Sequence, residues 1–152
     1  MKKTSILSSL LIALLGASMP AQAQDDVRIF NTVKTKLEAG EQVVGGTVST
    51  GDPDIYCAMA NSGYDLIWIE MQHSHLNYTD AARMIWACKD APAIPFIRIP
   101  DATEGDIQKA TDIGALGIIV PMVDTAAKME DAVKFAHYPP MGRRSQGGGQ
   151  YA

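Results

Sequence analysis

The chain has 152 residues, of which 47% are apolar, and its 13 basic and 17 acidic side chains give a formal net charge of −4. This apolar content is typical of a chain that packs a core, and the acidic balance gives no electrostatic basis for binding nucleic acid. Length and composition therefore indicate one folded domain, and they argue against a disordered chain or a nucleic-acid-binding module.

The first 23 residues have the pattern of a secretory signal. Lys2 and Lys3 precede an apolar stretch from Ile6 to Leu15, and Ala21-Gln22-Ala23 provides an A-x-A cleavage site. The stretch is too short to span a bilayer of about 30 Å, so we favour a cleaved signal over an uncleaved anchor. Cleavage after Ala23 would leave residues 24–152, with a net charge of −6, in the periplasm or outside the cell and without a membrane anchor.

Beyond the signal, apolar periodicity and capping residues predict helices that alternate with short apolar strands. The predicted helices cover about residues 27–37, 54–61, 79–89, 104–112 and 125–137, and the predicted strands cover residues 42–49, 65–71, 94–100 and 117–123. Thr79 and Thr125 are expected to cap the helices that they precede. The resulting pattern is one helix followed by four strand–helix units.

Strands that are nearly continuous apolar runs, each followed by a helix, predict an α/β fold with a parallel sheet covered by helices. Two architectures fit: an open doubly wound sheet, or the first half of an eight-stranded (β/α) TIM barrel. The dinucleotide motif G-x-G-x-x-G is absent after the first strand, because Val43-Val44-Gly45-Gly46 lies inside the strand itself. Its absence favours the barrel.

The two cysteines, Cys57 and Cys88, fall on separate predicted helices and lack the spacing of a zinc site or a C-x-x-C motif. An oxidising compartment would permit a disulfide between them. We nevertheless expect two free thiols that pack in the interior.

Polar residues occur at the carboxyl ends of two predicted strands, where parallel α/β folds place their chemistry. Glu70, Gln72 and His73 end the second strand, and Arg98 ends the third. Because side chains alternate along a strand, Glu70 shares a face with Trp68 and is expected to meet Arg98 at the mouth of the fold.

These residue types suit proton transfer beside an anion. An imidazole takes up a proton near neutral pH, and a guanidinium holds a carboxylate or a developing enolate with paired donors. His75 and His137 are expected to be solvated surface residues instead. His73 and Arg98 are therefore the strongest candidates for chemistry.

Several motifs, taken in chain order, extend the pattern over about residues 27–149. They are Gly63-Tyr64-Asp65, Trp68-Ile69-Glu70-Met71-Gln72-His73, Arg98-Ile99-Pro100, Asp112-Ile113-Gly114-Ala115, the segment from Gly117 to Val123, and Tyr138-Pro139-Pro140-Met141-Gly142-Arg143-Arg144. In these motifs the chain resembles the HpcH/HpaI aldolase/citrate lyase family of metal-dependent 2-oxo acid aldolases. The ordered set is more specific than any single motif.

The resemblance implies a (β/α)8 TIM barrel, of which this chain holds about the first four β/α units. It also implies a class II carbon–carbon lyase that cleaves 4-hydroxy-2-oxo acids to pyruvate, or a related 2-oxo acid, and an aldehyde. Carried over from the family, His73 is the general base, Arg98 stabilises the enolate, and Asp112 is the acid that raises the basicity of the histidine. Arg98, Glu70 and Gln72 would bind the substrate.

Other implications concern the metal and the assembly. The family's divalent metal, Mg, Mn or Co, takes its ligands from later strands, so no metal ligand is expected within this chain and the site is expected beyond Ala152. Asp112 is predicted at the end of a helix, far from His73, so contact is easier across a subunit interface in a homo-oligomer. The family usually carries two acids before the histidine, whereas here Glu70 is longer than the usual Asp and Gln72 cannot ionise.

A full barrel needs about 250 residues, so we expect the chain to be the amino-terminal part of a longer protein and to be inactive by itself. A half-barrel that dimerises is the alternative architecture. The alternative function is a non-catalytic periplasmic binding protein for 2-oxo or sugar acids, in which Gln72 marks the loss of chemistry.

Overall fold

A parallel sheet forms the frame that positions the candidate site. The computed structural model describes residues 29–147, so the predicted signal and its cleavage site lie outside the described residues. Its strands are β1 (Gly45–Val48), β2 (Leu66–Glu70), β3 (Ile94–Arg98) and β4 (Gly117–Ile119), all parallel and paired in the order β1-β2-β3-β4. This order follows the sequence, as in a (β/α) barrel, whereas a doubly wound sheet reverses its order at a switch point.

Helices precede β1 and follow each strand of the described chain. They are α1 (Thr32–Glu38), α2 (Pro53–Ala60), α3 (Tyr78–Ala87), α4 (Glu104–Asp112) and α5 (Ala126–Ala136). The predicted bounds of α4 are confirmed. Thr103 caps its first turn, and Gly114 follows shortly after its end. No helix among residues 29–147 combines the length and the apolar character that a membrane crossing requires.

The predicted start of α3 was wrong. Its cap is Asn77, whose side-chain oxygen accepts hydrogen bonds from the backbone amides of Thr79 and Asp80 at 2.8 and 3.2 Å. The Asp80 carboxylate accepts in turn from the Asn77 amide at 3.2 Å, which completes a capping box. Asparagine satisfies two orphan amides here, so the helix begins before the threonine that the sequence pattern favoured.

The fourth strand is shorter than predicted and ends at Ile119 rather than near Val123. Pro121 has no backbone N–H to donate to a strand, and Met122 has a positive φ of 52°. The carbonyl oxygen of Met122 accepts a hydrogen bond from Lys128 Nζ at 2.7 Å. The chain therefore leaves the sheet early and turns into α5.

The two faces of the sheet differ in burial. Ile67, Ile69 and Ile97 are fully buried against the helices, and they form one core with residues of α2, α3 and α4. Trp68 and Phe96 lie on the opposite, partly exposed face. On that face a Cβ at residue 117 would lie 2.3 Å from the Phe96 ring, so any side chain larger than that of Gly117 would have to displace the ring.

A disulfide joins Cys57 of α2 to Cys88, the residue directly after α3, with their Cα atoms 5.5 Å apart. The expectation of two free thiols was therefore wrong. Successive strand–helix–strand units bring α2 and α3 into contact with each other. Separate helices, which argued against a bond on sequence grounds, are what bring the two cysteines together.

Helix α1 contacts the amino-terminal end of the sheet. Asn31 Nδ2, at its cap, donates to the carbonyl of Leu116, just before β4, at 2.8 Å. Lys36 Nζ lies 2.6 Å from a carboxylate oxygen of Asp65, just before β2. These contacts close the end of the sheet opposite the strand termini that carry Glu70 and Arg98.

Candidate active site

An ion pair lies at the carboxyl ends of β2 and β3. Glu70 and Arg98 are the last residues of their strands, and the register places them side by side. Arg98 Nη1 lies 3.1 Å from Glu70 Oε2. The Glu70 side chain is 11% exposed, whereas the Arg98 side chain is 26% exposed. The contact expected from strand alternation is therefore present, with the acid inside and the guanidinium nearer to solvent.

Trp68 also contacts this pair. Its indole Nε1 donates a hydrogen bond to Glu70 Oε2 at 3.2 Å, and the guanidinium carbon of Arg98 lies 5.5 Å from the centroid of its ring. Sequence reasoning placed Trp68 on this face without assigning it a role. The sequence feature that could have predicted this contact is the spacing of Trp68 and Glu70, which are two residues apart and so lie on the same face of one strand.

The other carboxylate oxygen of Glu70 holds the loop after β2. Glu70 Oε1 accepts hydrogen bonds from the backbone amides of Gln72 at 2.8 Å and His73 at 2.9 Å. The Ser74 hydroxyl donates to the backbone carbonyl of Glu70, and the Met71 amide donates to the Arg98 carbonyl at 3.1 Å. The loop that carries His73 is thereby tied to both strands.

Opposing effects act on the ionisation of Glu70. Burial by itself raises the pKa of its carboxyl group, but the His73 amide, the Arg98 guanidinium and the Gln72 amide all donate to the charged form. The net effect is a pKa below the ordinary value of a glutamate. Glu70 is therefore an ionised carboxylate at neutral pH and acts only as an acceptor.

The His73 and Gln72 side chains differ in their surroundings. His73 is exposed, so its imidazole is accessible to a small molecule at the mouth of the sheet. The Oε1 atom of Gln72 is buried and has no hydrogen-bond partner in the described part of the chain. A buried acceptor without a partner costs about 1–3 kcal/mol.

Asp112 lies at the opposite end of the sheet. It is the last residue of α4, which runs back from the carboxyl end of β3 to the amino end of β4. Arg144 Nη2 lies 2.7 Å from its carboxylate, and the Arg144 guanidinium carbon lies 4.7 Å from the centroid of the Tyr138 ring. Within one chain, Asp112 is thus not brought to His73. Sequence reasoning did not foresee its pairing with Arg144.

The remaining histidines lie away from the ion pair or on the surface. His75 is exposed on the loop after β2, and His137 is exposed at the end of α5. His137 Nδ1 lies 2.8 Å from the carbonyl oxygen of Val133, one turn earlier. His137 thus packs on its own helix end, remote from the carboxyl ends of β2 and β3.

The described residues do not by themselves form a metal site. Across residues 29–147, no three His, Cys, Asp or Glu side chains cluster in a way that could hold an ion. At the strand ends the carboxylate is that of Glu70, and both of its oxygens already accept two hydrogen bonds each. This donor set suits an anion at Arg98 better than a cation.

Comparison with known proteins identifies relatives of the same architecture. The family described as HpcH/HpaI aldolase/citrate lyase matches residues 48–149. The chain is 35% identical over 125 residues to a 4-hydroxy-4-methyl-2-oxoglutarate aldolase of Chaetomium globosum, covering 81% of this chain and 46% of the relative. It is 33% identical over 118 residues to a hydroxypyruvate/pyruvate aldolase of Roseobacter denitrificans, covering 78% and 46%.

Solved structures give the same result. An HpcH/HpaI aldolase from Desulfitobacterium hafniense superposes with a TM-score of 0.71 at 33% identity, covering 76% of this chain and 45% of that one. The citrate synthase SbnG superposes with a TM-score of 0.70 at 38% identity, covering 75% and 46%. The chain therefore spans about half the length of the proteins that it matches.

Proposed function

The chain belongs to the HpcH/HpaI aldolase/citrate lyase family, and from that membership we propose that it forms part of a carbon–carbon lyase of the aldolase type. The fold is the α/β, TIM-barrel-type fold of that family, of which the described sheet supplies β1 to β4. The substrate class we assign is a 4-hydroxy-2-oxo acid, cleaved to pyruvate or a related 2-oxo acid and an aldehyde.

One observation carries the proposal. A guanidinium, that of Arg98, is held beside the loop of an exposed histidine by one buried carboxylate, at the edge of the sheet where parallel α/β enzymes place their chemistry. Arg98 supplies the donors that a 2-oxo acid carboxylate or an enolate needs, and His73 supplies a base. No relative named above is a binding protein, and no contact within residues 29–147 favours the binding-protein alternative.

In the proposed reaction His73 accepts the proton of the 4-hydroxyl group. The O–H electron pair forms the aldehyde carbonyl, and the C3–C4 bond breaks with its electron pair entering the enolate of the 2-oxo acid. Arg98 donates hydrogen bonds to the carboxylate and to the developing enolate oxygen. Transfer of a proton to the enolate carbon, from His73 directly or through water, then gives pyruvate or its relative and restores the neutral imidazole.

Asp112 enters the proposal through a second subunit. Because it lies at the far end of its own sheet, we assign it to the His73 of a neighbouring copy in a homo-oligomer, where its carboxylate would raise the basicity of the imidazole. A crystal structure of the oligomer tests this assignment. Asp112 within hydrogen-bond distance of a neighbouring His73 supports it, and Asp112 remote from every His73 in the assembly contradicts it.

The proposed cofactor is a divalent metal ion, Mg, Mn or Co, which would polarise the 2-oxo group when bound. Among residues 29–147 no three His, Cys, Asp or Glu side chains cluster to hold it, so we propose that its ligands lie outside the described residues. We also propose that the protein is exported through its amino-terminal segment. The Cys57–Cys88 disulfide supports this location, because disulfides persist in oxidising compartments.

The product of the complete gene provides the test. It should release pyruvate from a 4-hydroxy-2-oxo acid, and the activity should be lost in EDTA and restored by Mg, Mn or Co. His73→Ala should abolish turnover, whereas His75→Ala, an exposed histidine two residues further on, should retain it. Turnover that persists in EDTA would contradict the metal assignment. Tight oxo-acid binding without any turnover would instead indicate a binding protein, and residues 24–152 alone should be inactive.

A further inference from the structure

Glu70 links the two residues to which the proposed reaction gives chemical roles. We propose that Glu70 is a positioning residue that holds the Arg98 guanidinium and the His73 loop in one fixed arrangement, in place of the direct substrate contact that the family resemblance implies. The inference rests on the proposed function only through the roles of Arg98 and His73. The contacts of Glu70 do not depend on that function.

The first argument is the number of acceptor positions. A carboxylate offers about four lone-pair sites, and Glu70 receives four hydrogen bonds between 2.8 and 3.2 Å. Two come from the amides of Gln72 and His73 and two come from the side chains of Trp68 and Arg98. A substrate hydroxyl could reach this carboxylate only by displacing one of these donors, and Glu70 is only 8% exposed.

The second argument is reach. The carboxylate spans from its own loop, through Oε1, to the neighbouring strand, through Oε2. An aspartate at this position would be shorter by one C–C bond, about 1.5 Å, and could not keep both sets of hydrogen bonds from the same backbone. The extra methylene of glutamate therefore allows one side chain to connect β3 with the loop that carries His73.

The consequence concerns Arg98. A guanidinium has five N–H donors, and the hydrogen bond to Glu70 uses one of those on Nη1. The Trp68 ring restricts the guanidinium from a second direction. Arg98 is thereby fixed in place with donors remaining for an anion, so less conformational entropy is lost when the anion binds.

Two substitutions distinguish the link from Glu70 to the His73 loop from the link between Glu70 and Arg98. Glu70→Gln keeps an oxygen that can accept from the Gln72 and His73 amides, but it turns an NH2 group toward Arg98 and Trp68, which are themselves donors. Glu70→Ala removes both connections. Glu104→Gln is the matched control, because Glu104 also pairs with an arginine, Arg143, at 2.6 Å, but in an exposed position.

The readouts need no catalysis. In a Trp86→Phe background, Trp68 is the remaining tryptophan of the two, and its emission reports on the indole–carboxylate contact. We expect Glu70→Gln to shift that emission while hydrogen exchange at the Gln72 and His73 amides stays slow. Glu70→Ala should shift the emission and also accelerate exchange at both amides about tenfold or more. Glu104→Gln should change neither quantity.

The activity of the complete gene product adds a functional readout. Glu70→Gln should lower kcat about 10- to 100-fold, as loss of a partner that orients a reacting group does. Glu70→Asp keeps the charge but is shorter, so it should lower kcat by a smaller factor. If Glu70→Ala does not fold, Glu70→Gln and its emission signal still decide. Unchanged Trp68 emission in Glu70→Gln, or a structure with pyruvate bound directly to Glu70, would overturn the proposal. Absent turnover in the unmodified protein with the spectroscopic results as expected would instead reject the proposed function alone.

Discussion

Removal of the Cys57–Cys88 disulfide should lower the free energy of unfolding substantially. The bond closes a loop with a sequence separation of 31 residues between two helices. In the chain-entropy description, a loop of this length restricts the unfolded chain by about 3.7 kcal/mol. For a domain of this size, each kcal/mol corresponds to about 3–5 °C in Tm, so reduction should lower Tm by roughly 11–19 °C.

Thermal unfolding followed by circular dichroism, with and without dithiothreitol, measures the effect. The matched control is the Cys57→Ala/Cys88→Ala variant, whose Tm should lie near that of the reduced protein and should not respond to dithiothreitol. Peptide mapping without reduction should recover the two cysteines in one cross-linked peptide. Free thiols in protein purified from an oxidising compartment, or a Tm difference below about 2 °C on reduction, would refute the reasoning.

Two further substitutions test the packing of the sheet. Gly117→Ala should destabilise the fold by about 1–3 kcal/mol, because its Cβ would collide with the Phe96 ring. In the control, Gly105→Ala in α4, the added Cβ meets open space, so the change should be neutral or stabilising by up to about 1 kcal/mol. Equal urea midpoints for the two variants would contradict this packing. Burial raises the pKa of Tyr56 to about 12, so its contribution to stability is complete below pH 10 and is lost as the pH rises toward 12. A Tyr56→Phe variant should therefore lose less stability between pH 10 and 12 in urea titrations, and parallel losses in both proteins would count against the buried phenol.

Much of this fold follows from local patterns in the sequence. The bounds of α4 are predictable because a threonine cap, an amphipathic pattern and a closing glycine all agree. The predicted strands contain every observed strand, since apolar runs buried by helices are distinctive. The start of α3 and the early end of β4 depend instead on side-chain competition and on the positive φ of Met122, which composition does not reveal.

The candidate site was likewise predictable from the sequence only in part. Alternation along β2 and β3, combined with sequential strand order, was enough to place Glu70 beside Arg98. The hydrogen bonds from Gln72 and His73 to Glu70 were not predictable, because they depend on how the loop turns after the strand. The disulfide and the Asp112–Arg144 pair were missed for a related reason, since both join segments that only tertiary packing brings together.

Gln72 occupies a position where the family usually has an acid. The uncharged amide is consistent with the charge balance around Glu70. Glu70 is negative, Arg98 is positive, and the Glu70–Arg98 pair is already neutral. A carboxylate at position 72 would add a second negative charge next to a buried one, and burial together with like-charge repulsion would raise its pKa. The amide avoids that cost, and its buried Oε1 remains an acceptor without a partner among residues 29–147.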